Sequence, residues 1–200
     1  MHSKIQALVG LTGGIGSGKS YVGNILQHMG YPVFQSDAIA KGLLHDDIQV
    51  RDAIIQLLGE EILDNQGEIE KNKLSKILFN RKEIRLKINE IIHPVVRAKF
   101  IEWSAKQSST LVFNEAAILY ETGAFKNFDA MVLVTAPMSM RIKRIMLRDK
   151  CTEELAQARI NAQWTDDQKL AYQPHQIVND ETSPLLIQIE EVLKMLGEDL

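Results

Sequence analysis

A single cysteine among 200 residues, Cys151, cannot close an internal disulfide, which excludes a disulfide-stapled extracellular scaffold and fits a reducing compartment. The lone thiol reads as an ordinary half-buried side chain. Long apolar runs are also missing. No window approaches the roughly 18 apolar residues of a membrane helix. The opening MHSKIQALVGL carries only a short apolar run, so no signal peptide is read there. A cytoplasmic protein with no membrane partner is expected. Neither sign of charge dominates: 23 Lys and Arg face 26 Asp and Glu, for a net charge of −3. That balance argues against a general polyanion binder, so no nucleic-acid partner is expected and any basic site should be local. Only five prolines occur, and no Pro/Gly/Ser linker, repeat or low-complexity tract divides the chain.

What is present is an ordinary globular composition, 45% apolar and 24% charged, on a length that suits one domain, or one core with inserted lobes. Short β-like runs alternate with longer helical patterns. Strands are read at residues 5–11, 31–35, 111–115 and 130–135, with a fifth at 176–178. A helix over 21–29 places Val22, Ile25, Leu26 and Met29 at helical spacing and stops at Gly30. Further helices are expected at 50–58, 73–79, 84–92 and 95–105, the last with Pro94 in its first turn. The helical excursion at about 45–108 is too long for a simple crossover and reads as an inserted lobe. A second helical excursion spans about 138–172. The alternation implies an α/β fold with a five-stranded parallel sheet between helical layers, and a ligand outside the carboxyl ends of its strands.

The stretch LTGGIGSGKS (11–20) fits G-x-x-x-x-G-K-[ST], a P-loop, with a strand before it and a helix after. By average residue usage such a match arises by accident in roughly one chain in a hundred of this length. Gly13, Gly14, Ile15, Gly16, Ser17 and Gly18 would wrap a phosphate with inward N–H groups. Lys19 would reach the β- and γ-phosphates, and the Ser20 hydroxyl would ligate Mg²⁺. A nucleoside triphosphate is implied, but not where its γ-phosphoryl group goes.

Other residues narrow the destination. Asp37 follows the second strand and suits either a proton acceptor for a hydroxyl or the cap of a helix from about Ala38. Arg141, Arg144 and Arg148 share one helix face, suited to clamping phosphate or to forming a solvated cationic stripe. His93 and Arg97 flank Pro94; bottom-up, such a histidine is a cap or a hydrogen-bonded core residue. Glu115 closes the third strand, where P-loop enzymes often place an acidic residue linked to Mg²⁺.

Together LTGGIGSGKS, QSDAIAKGL (35–43), IIHPVVR (91–97), EAAILYETG (115–123), RIKRIMLRD (141–149) and IVND (177–180) resemble the dephospho-coenzyme A kinases nearly end to end. The resemblance implies phosphorylation of the ribose 3′-hydroxyl of dephospho-CoA by ATP and Mg²⁺. It makes Asp37, the second position of a D-x-D-like segment, the catalytic carboxylate, with Gln35 standing where many members carry the first aspartate. It makes 138–172 a lid whose Arg144 and Arg148 meet the phosphates, and 45–108 the acceptor lobe, where His93 and Arg97 touch substrate. Glu115 would make direct or water-mediated Mg²⁺ contact, a local hydrogen bond or an acceptor contact; the resemblance would set Asn179 beside adenine, and Tyr21 would stack near the nucleotide or pack against the lobe. Ala117 departs from the proline of typical members. A monomer or weak homo-oligomer is expected. The rivals are a kinase for another small acceptor, a nucleotide-driven switch and a nucleotide-binding regulator without chemistry.

Overall fold

The structure, a computed structural model, describes residues 6–199. In chain order these form β1 (Ala7–Thr12), α1 (Lys19–His28), β2 (Val33–Gln35), α2 (Ser36–Asp46), α3 (Ile48–Leu58), α4 (Lys71–Asn80), α5 (Lys82–Ser104), β3 (Leu111–Glu115), β4 (Ala130–Thr135), α6 (Met138–Asp149), α7 (Glu153–Asn161), α8 (Asp166–Leu170), β5 (His175–Val178) and α9 (Leu185–Asp199). Ile5, read as the start of the first strand, lies outside the described residues.

The five strands make one parallel sheet in the order β2-β3-β1-β4-β5. β1 is central, with β3 on one side and β4 on the other; the connection leaving β1 runs toward β2 and the one leaving β4 runs the opposite way to β5, so the connections diverge between β1 and β4. Such a switch point leaves a crevice at the strands' carboxyl ends. Every residue of β3 is buried, as are all of β1 except the half-buried Leu8, which is why both read as near-continuous apolar runs. The buried polar exceptions, Thr12, Asn114, Glu115 and Thr135, all lie at or next to carboxyl ends. Val22 and Leu26 of α1 and Ile189, Val192 and Leu196 of α9 close over Val9, Leu11, Phe113, Val134 and Ile177. Each such side chain contributes about 1.5–3 kcal/mol by leaving water.

The second strand is shorter than 31–35 because residues 30 and 31 complete α1. The Gly30 N–H donates to the Gln27 carbonyl and the Tyr31 N–H to that of Leu26, with Gly30 at φ +92°. That is a Schellman closure, and it needs the left-handed backbone glycine adopts without strain.

The chain divides into two compact units, one running up to Gln35 and resuming at Gln107, the other Ser36–Lys106. The first holds the whole sheet. The second is helical, with Leu43, Val50, Ile54, Ile62, Ile69 and Leu74 buried alongside one face of α5. Two expectations are corrected here. The helices read at 84–92 and 95–105 are one helix, α5, which runs through Pro94 and leaves His93 in its interior. Pro94 forfeits one backbone hydrogen bond. The helix persists because Ile88, Ile92, Val96 and Phe100 are all buried at four-residue spacing on both sides of the proline. Asp37 is not a cap either: α2 begins at Ser36 and holds Asp37 inside its first turn, where a carboxylate suits the helix dipole.

Candidate active site

The loop 13–18 leaves the central strand β1 and enters α1, a strand–loop–helix passage. Gly16 and Gly18 have φ of +80° and +94°, values L side chains rarely adopt. A Cβ on Gly13 would lie 2.5 Å from both the Ser17 hydroxyl and the Val134 carbonyl. The Ser17 N–H closes a turn onto the Gly14 carbonyl at 3.0 Å, and the buried Ser17 hydroxyl has no hydrogen-bond partner among the described residues. No acidic residue occupies the first turn of α1, so its positive helix end is not neutralised locally.

The first turn of α1 carries Lys19 and Ser20 onto one carboxylate oxygen. Lys19 Nζ lies 2.8 Å from Glu115 Oε1, and the Ser20 hydroxyl donates to the same oxygen at 2.5 Å. Parallel pairing sets Glu115 opposite Leu11 and so beside the loop. Gly23 gives the carboxylate room, since a Cβ there would lie 3.3 Å from Glu115 Oε2. A hydroxyl and a carboxylate in contact are hard oxygen donors that suit Mg²⁺. Among the described residues no group of three or more His, Cys, Asp or Glu could cage a metal. That also fits Mg²⁺, which takes one or two protein oxygens and completes its shell with water and phosphate.

The three arginines of α6 separate by depth. Arg141 is 3% exposed; its Nε donates to the Ile15 carbonyl at 3.0 Å and a terminal nitrogen pairs with the Asp166 carboxylate at 3.4 Å. Burial pushes the Arg141 guanidinium below its usual range and the Asp166 carboxyl above its own. Arg144 donates to the carbonyls of Gly16 at 3.3 Å, Ser17 at 3.4 Å and Asn179 at 3.2 Å, and pairs with Glu181 at 3.1 Å. The Asn179 amide donates to the Ser17 carbonyl at 2.9 Å. Arg148 is mostly exposed and holds Asp149 through two bonds of 2.7 and 2.9 Å, which raise the guanidinium and lower the carboxyl. Tyr21 is exposed.

A contact that sequence reasoning missed completes the loop. The Ile15 N–H donates to Gln163 Oε1 at 2.7 Å. Gln163, a neutral amide between α7 and α8, carries no motif, and nothing local marks it.

In the helical unit Asp37 lies in the first turn of α2 and His93 in α5. Burial pushes the His93 imidazole below its ordinary value, while the nearby Asp37 charge pulls it upward. Arg97, one turn beyond His93, is exposed.

Comparison with known proteins agrees across the whole chain. A family model described as dephospho-CoA kinase matches residues 7–184. The dephospho-CoA kinase of Bacteroides fragilis strain YCH46 is 37% identical over 193 residues, which cover 96% of this chain and 94% of the relative. A crystal structure of TT1252 from Thermus thermophilus superposes with a TM-score of 0.83 at 28% identity, covering 98% of both chains. A dephospho-CoA kinase from Campylobacter jejuni gives a TM-score of 0.64 at 27% identity, covering 97% of both.

Proposed function

The chain belongs to the dephospho-CoA kinase family, and on that premise we propose that it moves the γ-phosphoryl group of ATP onto the ribose 3′-hydroxyl of dephospho-CoA, the last step of coenzyme A formation. The observation that carries the chemistry is the convergence of Lys19 and Ser20 on Glu115 beside a glycine cradle.

The N–H groups of the loop and the end of α1 hold the triphosphate. Lys19 exchanges or shares its bond to Glu115 with phosphate oxygens, and Ser20 with Glu115 would hold Mg²⁺. When bound, that ion neutralises charge on the phosphate oxygens. Asp37 orients the 3′-hydroxyl and takes its proton as the oxygen–phosphorus bond forms and the β–γ bridge breaks, releasing ADP. Arg148, exposed on α6, stabilises charge on the moving group once it releases Asp149. Arg144, whose guanidinium lies against the loop carbonyls of Gly16 and Ser17, shares that role on the moving group. Asn179 and Tyr21 flank the nucleotide. His93, kept neutral by burial, and the exposed Arg97 contact the acceptor. Residues 45–108 act as the acceptor lobe and 138–172 as the lid in this proposal. No described helix is long and apolar enough to cross a membrane, and we place the reaction in the cytoplasm.

The test is a product assay. The protein is incubated with Mg²⁺-ATP, with and without dephospho-CoA, and products are followed by mass spectrometry. ADP and CoA formed together only with the acceptor support the proposal. ADP and phosphate formed equally without it point to a nucleotide hydrolase instead.

A further inference from the structure

The middle of the phosphate loop has a mechanical problem. Glycines stand at 13, 14, 16 and 18, so its backbone has unusual freedom, and ordering it on binding would cost affinity. The one non-glycine inside that run before Ser17 is Ile15, and its peptide groups are gripped from both ends by side chains distant in sequence. Gln163 accepts from the Ile15 N–H at 2.7 Å, and Arg141 donates to the Ile15 carbonyl at 3.0 Å. Asp166 holds the other side of that guanidinium at 3.4 Å.

The flanking glycines fit the same device. A Cβ on Gly14 would run into the Arg141 guanidinium, whose central carbon would lie only 2.7 Å away. A Cβ on Gly16 would lie 2.8 Å from the Arg141 carbonyl oxygen. Gly14 carries no positive φ. Its small size therefore serves Arg141, not a left-handed turn.

We infer that Arg141 and Gln163 are positioning residues that clamp the Ile15 peptide and pre-organise the phosphate loop for its nucleotide. The nucleotide comes from the kinase proposal above, so the test reads the clamp separately from phosphoryl transfer.

Amide hydrogen exchange at Ile15 by NMR and the Kd for Mg²⁺-ATP by calorimetry are measured on the full chain, for wild type, Gln163→Met, Arg141→Met, Gly14→Ala and the Gly14→Ala/Arg141→Met double variant. Gln163→Met is expected to speed Ile15 exchange by about tenfold while core amides such as Val9 keep their rates, and to weaken ATP about fivefold or more. Arg141→Met, which removes a charged donor, should weaken ATP about tenfold or more. The double variant should lose less than the product of its two single losses, because the collision at Gly14 disappears with the guanidinium. If Arg141→Met does not fold, Gln163→Met decides alone. A folded Gln163→Met with wild-type exchange at Ile15 and an ATP Kd within twofold of wild type overturns the clamp. Wild type that transfers nothing to dephospho-CoA, while Gln163→Met still loosens Ile15 and weakens ATP, leaves the clamp standing and removes the kinase proposal.

Discussion

Lys169 is fully buried, and its ammonium lies 3.0 Å from Glu121 Oε1 without a directed hydrogen bond. The same oxygen accepts the Trp164 N–H at 3.0 Å. Replacing Glu121 by Gln keeps the shape and an acceptor for Trp164 but removes the counter-charge. The ammonium, still felt by the Asp166 carboxylate, then remains without its contacting counter-charge in a site that water does not reach, at a cost of up to about 3–5 kcal/mol. For a chain of this size that corresponds to a fall in melting temperature of about 6–20 °C. Lys169→Met should cost less, since the remaining carboxylate still accepts the Trp164 N–H. The double variant Glu121→Gln/Lys169→Met should be more stable than Glu121→Gln alone, because it removes the stranded charge. Urea denaturation of the four proteins measures the cycle. A loss below about 1 kcal/mol in Glu121→Gln, or strict additivity in the double variant, would refute the argument that this pair compensates a buried charge.

Three further outcomes are expected. Asp37→Ala should lower transfer to dephospho-CoA by about 10²–10⁴-fold with the ATP Kd little changed; stopped assays and calorimetry read the two, and unchanged turnover removes Asp37 as the base. Arg148→Gln should lower kcat by about tenfold or more while ATP affinity moves less; a loss confined to ATP affinity contradicts its role on the moving phosphoryl group. His93 has a folded-state pKa below 6.5, chiefly through burial. Below pH 6.5 the unfolded chain therefore takes up its proton before the folded one does, so this histidine's share of stability is intact above 6.5, declines as pH falls toward the folded value, and then levels off. His93→Gln should flatten that limb in urea titrations between pH 7.5 and 5.5, and an unaltered limb contradicts the assignment.

The phosphate loop was legible because its demands are local. Positive φ at Gly16 and Gly18, a lysine and a hydroxyl on the first turn, and an apolar strand before them all sit within about a dozen consecutive residues. The ends of β3 and β5 were legible for a related reason, since Glu115 closes a strand of buried, mostly apolar residues and Asn179 is the first residue after β5. Pro94 was misread because local chemistry favours a helix start there, whereas the stripe from Ile88 to Phe100 sustains the helix by packing that no local signal reports. The arginines of α6 show the limit best. Positions 141 and 148 differ by only about 20° around the helix, so periodicity groups them. They differ by about 10 Å along its axis, and the phosphate loop covers the first but not the second. Angular position follows from spacing, but axial cover depends on segments more than a hundred residues away in sequence. The same distance in sequence hid Gln163, whose partner is a backbone N–H that any residue at position 15 except proline would offer. A site can thus announce its chemical groups in sequence while concealing the side chains that hold its backbone still.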